Sequence, residues 1–195
     1  MRFSKEIFSI LVLLSVAYVF PQETTHGGFA APVIKISTLD SKTAILGGVR
    51  AGWVIDERVV LGAAYYGILN SVDGPYIDPV TKEQYNIELT MGGLDLEYIF
   101  MPHHDLNFSI EMFCGGGGIK YISTVKANQY NTVGGNDLLV WEPQLNFNYK
   151  INDWLRLSSA LGYRFVSQYS DYLSLRKKDV EGLSFNVALR FGAYR

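Results

Sequence analysis

The sequence has almost no cysteine, little histidine and no excess of either charge, and each shortage removes a class of protein. A single cysteine, Cys114, forbids an internal disulfide and any CxxC metal site. Three histidines leave scant material for a triad in which a histidine must sit beside a serine and be oriented by a carboxylate. With 17 basic against 19 acidic residues, the formal net charge is −2, and the electrostatic footprint of a nucleic-acid binder is missing. Past Gly27 no stretch holds a 3.6-residue apolar period, and no run approaches the roughly 20 residues of a membrane-spanning helix. Apolar material itself is plentiful. Hydrophobic residues make up 48% of the 195, too many to remain solvated in a disordered chain. Nineteen glycines and thirteen tyrosines are high for a helical protein and ordinary for a barrel of many strands.

The N-terminus reads as an address. Arg2 and Lys5 precede the apolar run Ile7–Leu14, and Ser15-Val16-Ala17 offers a small-x-small site, the order of a secretory signal peptide cleaved after Ala17. The uninterrupted apolar stretch from Ile7 to Phe20 is shorter than the roughly 20 residues a spanning helix needs. The expected organisation is residues 1–17 as signal peptide, 18–27 as an N-terminal periplasmic segment and 28–195 as one β-barrel domain.

In the remaining chain, period-two alternation recurs between turn residues, the mark of half-buried strands. Eight candidate strands follow: Gly28–Thr38, Thr43–Ile55, Val59–Leu69, Ile87–Phe100, Leu106–Tyr121, Leu138–Lys150, Leu155–Ser167 and Leu183–Tyr194. Most reach the roughly 9–11 residues with which a tilted strand crosses a bilayer, and exceed the roughly 5–6 usual in soluble sheets. The connections alternate. Asp56–Arg58, Met101–Asp105 and Ile151–Trp154 are tight, whereas Asn70–Asn86, Ser123–Asp137 and Gln168–Gly182 are long and polar, as in outer-membrane barrels. Only Leu39–Lys42, a short connection on the long-loop side, departs from the rule.

The two faces of each strand differ in kind. Leu155, Leu157, Leu161, Tyr163 and Phe165 oppose Arg156, Ser158, Ala160, Gly162 and Arg164. Phe185, Val187, Leu189 and Phe191 oppose Ser184, Asn186, Ala188 and Arg190, and Leu139, Trp141, Leu145 and Phe147 oppose Glu142, Gln144, Asn146 and Asn148. A lipocalin-like soluble barrel would turn the large residues inward. An eight-strand barrel has an interior only wide enough for packed side chains, so the crowded aromatic parity belongs outside, against lipid, and the small polar parity inside. The interior then receives Lys35, Arg50, Arg156, Arg164 and Arg190 together with Asp95, Glu97, Glu111 and Glu142, five positive groups and four negative. Buried charges require partners, so an interior salt-bridge network that plugs the barrel is expected. Two aromatic girdles are expected as well: Trp53, Phe100, Tyr149, Trp154 and Tyr194 toward the short turns, and Tyr65, Tyr121, Trp141, Phe165 and Phe185 toward the long loops.

With the signal peptide, the run Gly92-Gly93-Leu94-Asp95-Leu96-Glu97-Tyr98-Ile99-Phe100, the glycine-rich Cys114–Gly118 stretch and the closing Phe185–Phe191 alternation, the chain resembles the small eight-stranded outer-membrane β-barrels of Gram-negative bacteria, the porin-like and opacity-like superfamily. That resemblance implies an all-β, antiparallel up-and-down transmembrane barrel in the outer membrane. It also implies outer-membrane lipid and lipopolysaccharide as surroundings, and insertion by machinery that reads a C-terminal aromatic, here Tyr194 in the penultimate place. A role in surface structure, adhesion or small-molecule passage is implied without a choice among them.

His26 precedes the first strand, and His103 and His104 share a short turn, remote from the outer rim where lipid-modifying barrels of this family work. His103-His104-Asp105 reads as polar turn residues after Pro102 rather than a metal site. Gly115–Gly118 lies within strand alternation and reads as a bend or close approach rather than a phosphate loop. No catalytic residue, cofactor or metal is expected. Candidate extracellular contacts are Tyr76, Tyr85 and Tyr172, with Arg176, Lys177 and Lys178 placed to meet lipopolysaccharide phosphates. The leading expectation is a plugged, non-enzymatic barrel with an envelope-structural or surface-binding role. A narrow conduit and a lipid-modifying enzyme are the alternatives.

Overall fold

A computed structural model describes residues 25–77, 82, 84–122, 132–167 and 176–193. The expected signal peptide, Tyr172 and Tyr194 lie outside these residues. Among the described residues nine strands run in chain order: β1 His26–Leu39, β2 Lys42–Ile55, β3 Val59–Ile68, β4 Asp73–Ile77, β5 Gln84–Phe100, β6 Leu106–Ile122, β7 Thr132–Asn152, β8 Leu155–Ser167 and β9 Gly182–Ala193. One turn of helix, α1 Lys177–Val180, precedes β9.

Eight of the strands pair antiparallel with their neighbours, and β1 with β9 closes the ring; β3 pairs with β5, and β4 pairs with β5 alone. The result is a closed all-β barrel of eight antiparallel strands. Its register is sheared. Pairings from Gly27 pass through Val54, Val60, Glu97, Glu111, Gln144, Gly162 and Ser184 and return to β1 at Ser37. A ring that climbs as it closes forces its strands to tilt, and this fixes a narrow, side-chain-filled bore. The β7–β8 pairing lapses between Trp141↔Phe165 and Gln144↔Gly162, where Pro143 has no N–H to give.

The loop regions depart from the sequence reading. Within the expected Asn70–Asn86 loop, β4 folds back on an extended β5, and β7 begins at Thr132 inside the expected Ser123–Asp137 loop. Asp40 and Ser41, with φ of 49° and 61°, form the two-residue turn between β1 and β2, a conformation that matches the twist of paired strands. Short turns lie on the periplasmic side of outer-membrane barrels; the tight turns after β2, β5 and β7 mark that side, and the β1–β2 turn, itself short, lies with β4 and α1 at the opposite, extracellular end.

Burial alternates along the strands with the large residues outward. Leu94 is 70% exposed and Leu161 59%, whereas Arg164 and Glu142 are 0% exposed. On β7 the outward apolar set runs from Leu139 to Tyr149, within the roughly 9–11 residues of a tilted spanning strand, and on β6 the shorter set from Leu106 to Met112 lies beside it. Trp53, Trp154, Tyr149 and Phe100 mark its lower edge, with Trp154 stacked on Phe191 and Phe100 on Phe108. Tyr65, Trp141, Phe165 and Phe185 face outward nearer the upper edge. Tyr121 does not join them. It is buried, because β6 above the belt turns its apolar parity inward.

Candidate functional site

The interior is built in two tiers. In the lower tier, within the belt, Arg50 reaches Asp95 at 2.6 Å, Glu97 at 2.9 Å and Glu111 at 2.9 Å, while Arg190 meets Glu97 at 3.0 Å. Ser109 donates to Glu97, and Asn146 donates to Glu111 at 3.0 Å. The Phe29 ring lies 5.4 Å from Arg50 Cζ and 5.0 Å from Arg190 Cζ, within cation–π range of both. A second pair stands apart from this cluster. Lys35 Nζ is 2.8 Å from Glu142 Oε1, which also accepts from Ser184 at 2.6 Å, and Nζ lies 4.1 Å from the centre of the Tyr66 ring. Between the two, Asn186 donates to Gln144.

Every charged residue assigned to the interior by sequence (Lys35, Arg50, Asp95, Glu97, Glu111, Glu142, Arg156, Arg164 and Arg190) is buried, and among the described residues no other charged residue is. They are not one network. Arg156 lies directly across from Arg190 in the β8–β9 register. Arg164 gives its hydrogen bonds to carbonyls, Nε to Val180 at 2.8 Å and Nη2 to Thr38 at 2.9 Å, and so ties α1 and β1 to β8.

The upper tier escaped the sequence reading. Leu46, Leu89, Met91, Ile119, Leu138, Val140 and Val166 point inward there and are buried, while Glu88, Lys120 and Asp137 face outward. Above the belt the barrel thus has the sidedness of a soluble one. The signal was present as a phase slip. On β5 the apolar parity is odd through Met91 and even from Leu94, and the same exchange occurs across Gly115–Gly118 on β6. The two slips meet in space, because Gly92 pairs with Gly116 and Gly93 with Gly115.

α1 packs on β1 and β8 at the extracellular end as a cap. Val180 is fully buried, the Asp179 carbonyl accepts from the Asp40 N–H at 2.6 Å, and Glu181 Oε1 accepts from the Val166 N–H at 3.1 Å. Partial burial works against ionisation of Asp179. The Arg176 backbone N–H at 2.9 Å and its guanidinium at 3.2 Å outweigh that and hold the carboxyl below the usual aspartate range.

The candidate contacts divide. Arg176, Lys177 and Lys178 are exposed, though Arg176 engages Asp179 and Lys177 lies 3.5 Å from Glu181, which leaves Lys178 the most available cation. Tyr76 is on β4. Tyr85, expected in a loop, is on β5 with its ring buried in the upper tier, so it offers no external surface. His26 packs 5.4 Å from the Trp53 ring and His103 Nδ1 sits 3.4 Å from Glu57, which places both at the periplasmic end. Among the described residues no three His, Cys, Asp or Glu side chains converge as a metal site.

Among solved structures, the chain is similar to Neisserial surface protein A, at 7% identity over 89% of this chain and 100% of that one, with a TM-score of 0.58. It is similar to the N-terminal β-barrel domain of OprF from Pseudomonas aeruginosa, at 12% identity over 87% and 99%, TM-score 0.53. It is similar also to Ail, the attachment invasion locus protein of Yersinia pestis, at 8% identity over 88% and 99%, TM-score 0.52, in a structure with the heparin analogue sucrose octasulfate. No family model and no curated protein matches the sequence. At these identities the likeness is one of fold. Together with the outward apolar belt it defines the class of fold: a small, closed eight-stranded β-barrel of the outer-membrane type.

Proposed function

We propose that the protein is a non-enzymatic barrel of the outer membrane, sealed along its axis, that anchors a rigid extracellular cap and meets lipopolysaccharide phosphates through Arg176, Lys177 and Lys178. The observation that carries the reading is the filled interior. The cavity at the centre of the ionic tier measures only about 20 Å³, and above it the apolar tier and the buried Val180 leave a low-dielectric layer that opposes ions. Paired charges below and an apolar seal above place two barriers in series. The basic segment fits a role at the leaflet surface, where contact with phosphate needs only positive charge. That Ail, with the same fold, was crystallised with a polyanionic sugar supports this second element. Planar-bilayer recording tests the seal: the reconstituted barrel is expected to give no steady conductance, and stable single-channel steps refute the proposal in favour of a narrow conduit.

A further inference from the structure

The small cavity in the ionic tier is not lined at random. Gln144, Asn186 and Arg190 all border it, all are more than nine-tenths buried, and each keeps one polar atom unmatched by any protein group: Gln144 Nε2, Asn186 Oδ1 and Arg190 Nε. The rest of each side chain is committed. Gln144 Oε1 accepts from Asn186 Nδ2, and Arg190 Nη1 reaches Glu97 Oε2 at 3.0 Å. Two donors and one acceptor therefore border one space. Exchanging the O and N ends of both amides changes nothing in this count, because a bonded pair of amides always leaves one donor and one acceptor over.

We propose that this cavity is a binding site for a single ordered water molecule, which accepts from Gln144 Nε2 and Arg190 Nε and donates to Asn186 Oδ1. Size, charge and hydrogen-bond polarity select water. A volume of about 20 Å³ exceeds the roughly 10–15 Å³ that one water requires and falls short of two. An anion would meet the Asn186 oxygen and the neighbouring Glu111 carboxylate, both of which repel it. A cation would meet the N–H groups of Gln144 and Arg190. A neutral molecule able to donate and accept at once satisfies all three groups.

The place of the site in the fold gives the water a task. Gln144 lies on β7 between Glu142, which holds Lys35, and Asn146, which binds Glu111. Asn186 lies on β9 between Ser184, which also binds Glu142, and Arg190. The amide pair is thus the uncharged joint between the two ionic groups, and the water continues the hydrogen bonding from that joint into the Arg190–Glu97 pair. This inference holds whatever the cap and loops meet outside.

Crystals of the full chain solubilised in detergent, soaked in bromide and measured at a resolution that shows ordered solvent, provide the test. The expected result is one density peak within hydrogen-bond distance of Gln144, Asn186 and Arg190, with no anomalous bromide signal. An anomalous peak there makes the site an anion site and overturns the proposal, as does the lack of any peak. In solution, magnetisation transfer from water to the Gln144 side-chain amide protons is expected in the unaltered protein. The double variant Gln144→Leu/Asn186→Leu is expected to keep the difference in migration between boiled and unboiled samples while losing the density peak. Equal transfer to every interior amide would show solvent throughout and would likewise overturn it.

Discussion

Glu97→Gln tests whether the ionic tier is closed to bulk water. Glu97 is fully buried and joins Arg50 at 2.9 Å to Arg190 at 3.0 Å, with Ser109 as a further donor. The amide preserves shape and one acceptor but removes the charge. Arg50 keeps Asp95 at 2.6 Å and Glu111 at 2.9 Å, so the loss falls on Arg190, whose ion pair is with Glu97. Removing one partner of a buried pair costs about 3–5 kcal/mol, since the other charge stays desolvated. The lower end applies here, because the glutamine oxygen still accepts from Arg190. The assay is reversible guanidinium unfolding of the barrel in phospholipid vesicles, followed by tryptophan fluorescence. Glu97→Gln is expected to lower stability by about 3 kcal/mol, and Arg190→Met made on that background to restore part of the loss rather than add to it. A single variant within about 0.5 kcal/mol of the parent, or strictly additive losses, would mean that water screens these charges as it does on a surface, and the sealed interior would be refuted.

Further outcomes follow from the tiers and the cap. Gly93→Val is expected to abolish the folded, fast-migrating band on unboiled gels, because a β-carbon there stands 2.3 Å from the Cys114 carbonyl oxygen and 2.4 Å from Gly115 Cα, both backbone atoms; Leu94→Val, facing lipid, is expected to retain it. The depressed Asp179 carboxyl contributes to cap stability in full above the unfolded value of about 3.9, and that contribution is lost as pH falls through the lower folded value. Hydrogen exchange at the Asp40 amide, bonded to the Asp179 carbonyl, is expected to lose protection on acidification to that range; Asp179→Asn removes the pH dependence. Lys177→Glu/Lys178→Glu is expected to weaken co-purification with lipopolysaccharide, more at low salt than at high, without altering heat-modifiable migration.

Much of the barrel was legible because period two is geometric. In a strand one face is buried and the other is not, so the parity of Leu155–Phe165 and of Leu183–Phe191 gave both the strands and their orientation. Burial of the nine charges follows from the same parity. Their partners do not. Which carboxylate meets Arg50 depends on the shear, which sets the heights at which side chains of β2, β5 and β6 meet inside the bore, and no local pattern reports shear. Arg164 was grouped with the ionic residues by parity alone, yet its place near the top of β8 sets it beside backbone carbonyls of α1 and β1. Tyr85 and Tyr121 were misplaced for a single reason. The aqueous solvent that begins above the belt reverses which face must be apolar, and the glycines at positions 92–93 and 115–118 carry the exchange. A reading that assumes one solvent along a whole strand fails where the strand leaves the membrane.

The central claim is that the large side chains of the belt face hydrocarbon. Trp141 tests it most directly, being 44% exposed and paired with Cys114 and Phe165 in the outward row, on the lipid side of the upper edge. In a variant with Trp53→Phe and Trp154→Phe, reconstituted into vesicles of acyl-brominated phospholipid, Trp141 fluorescence is expected to be strongly quenched by the bromines and scarcely at all by aqueous iodide. Quenching by iodide with no effect of bromine would place Trp141 in water and contradict the account.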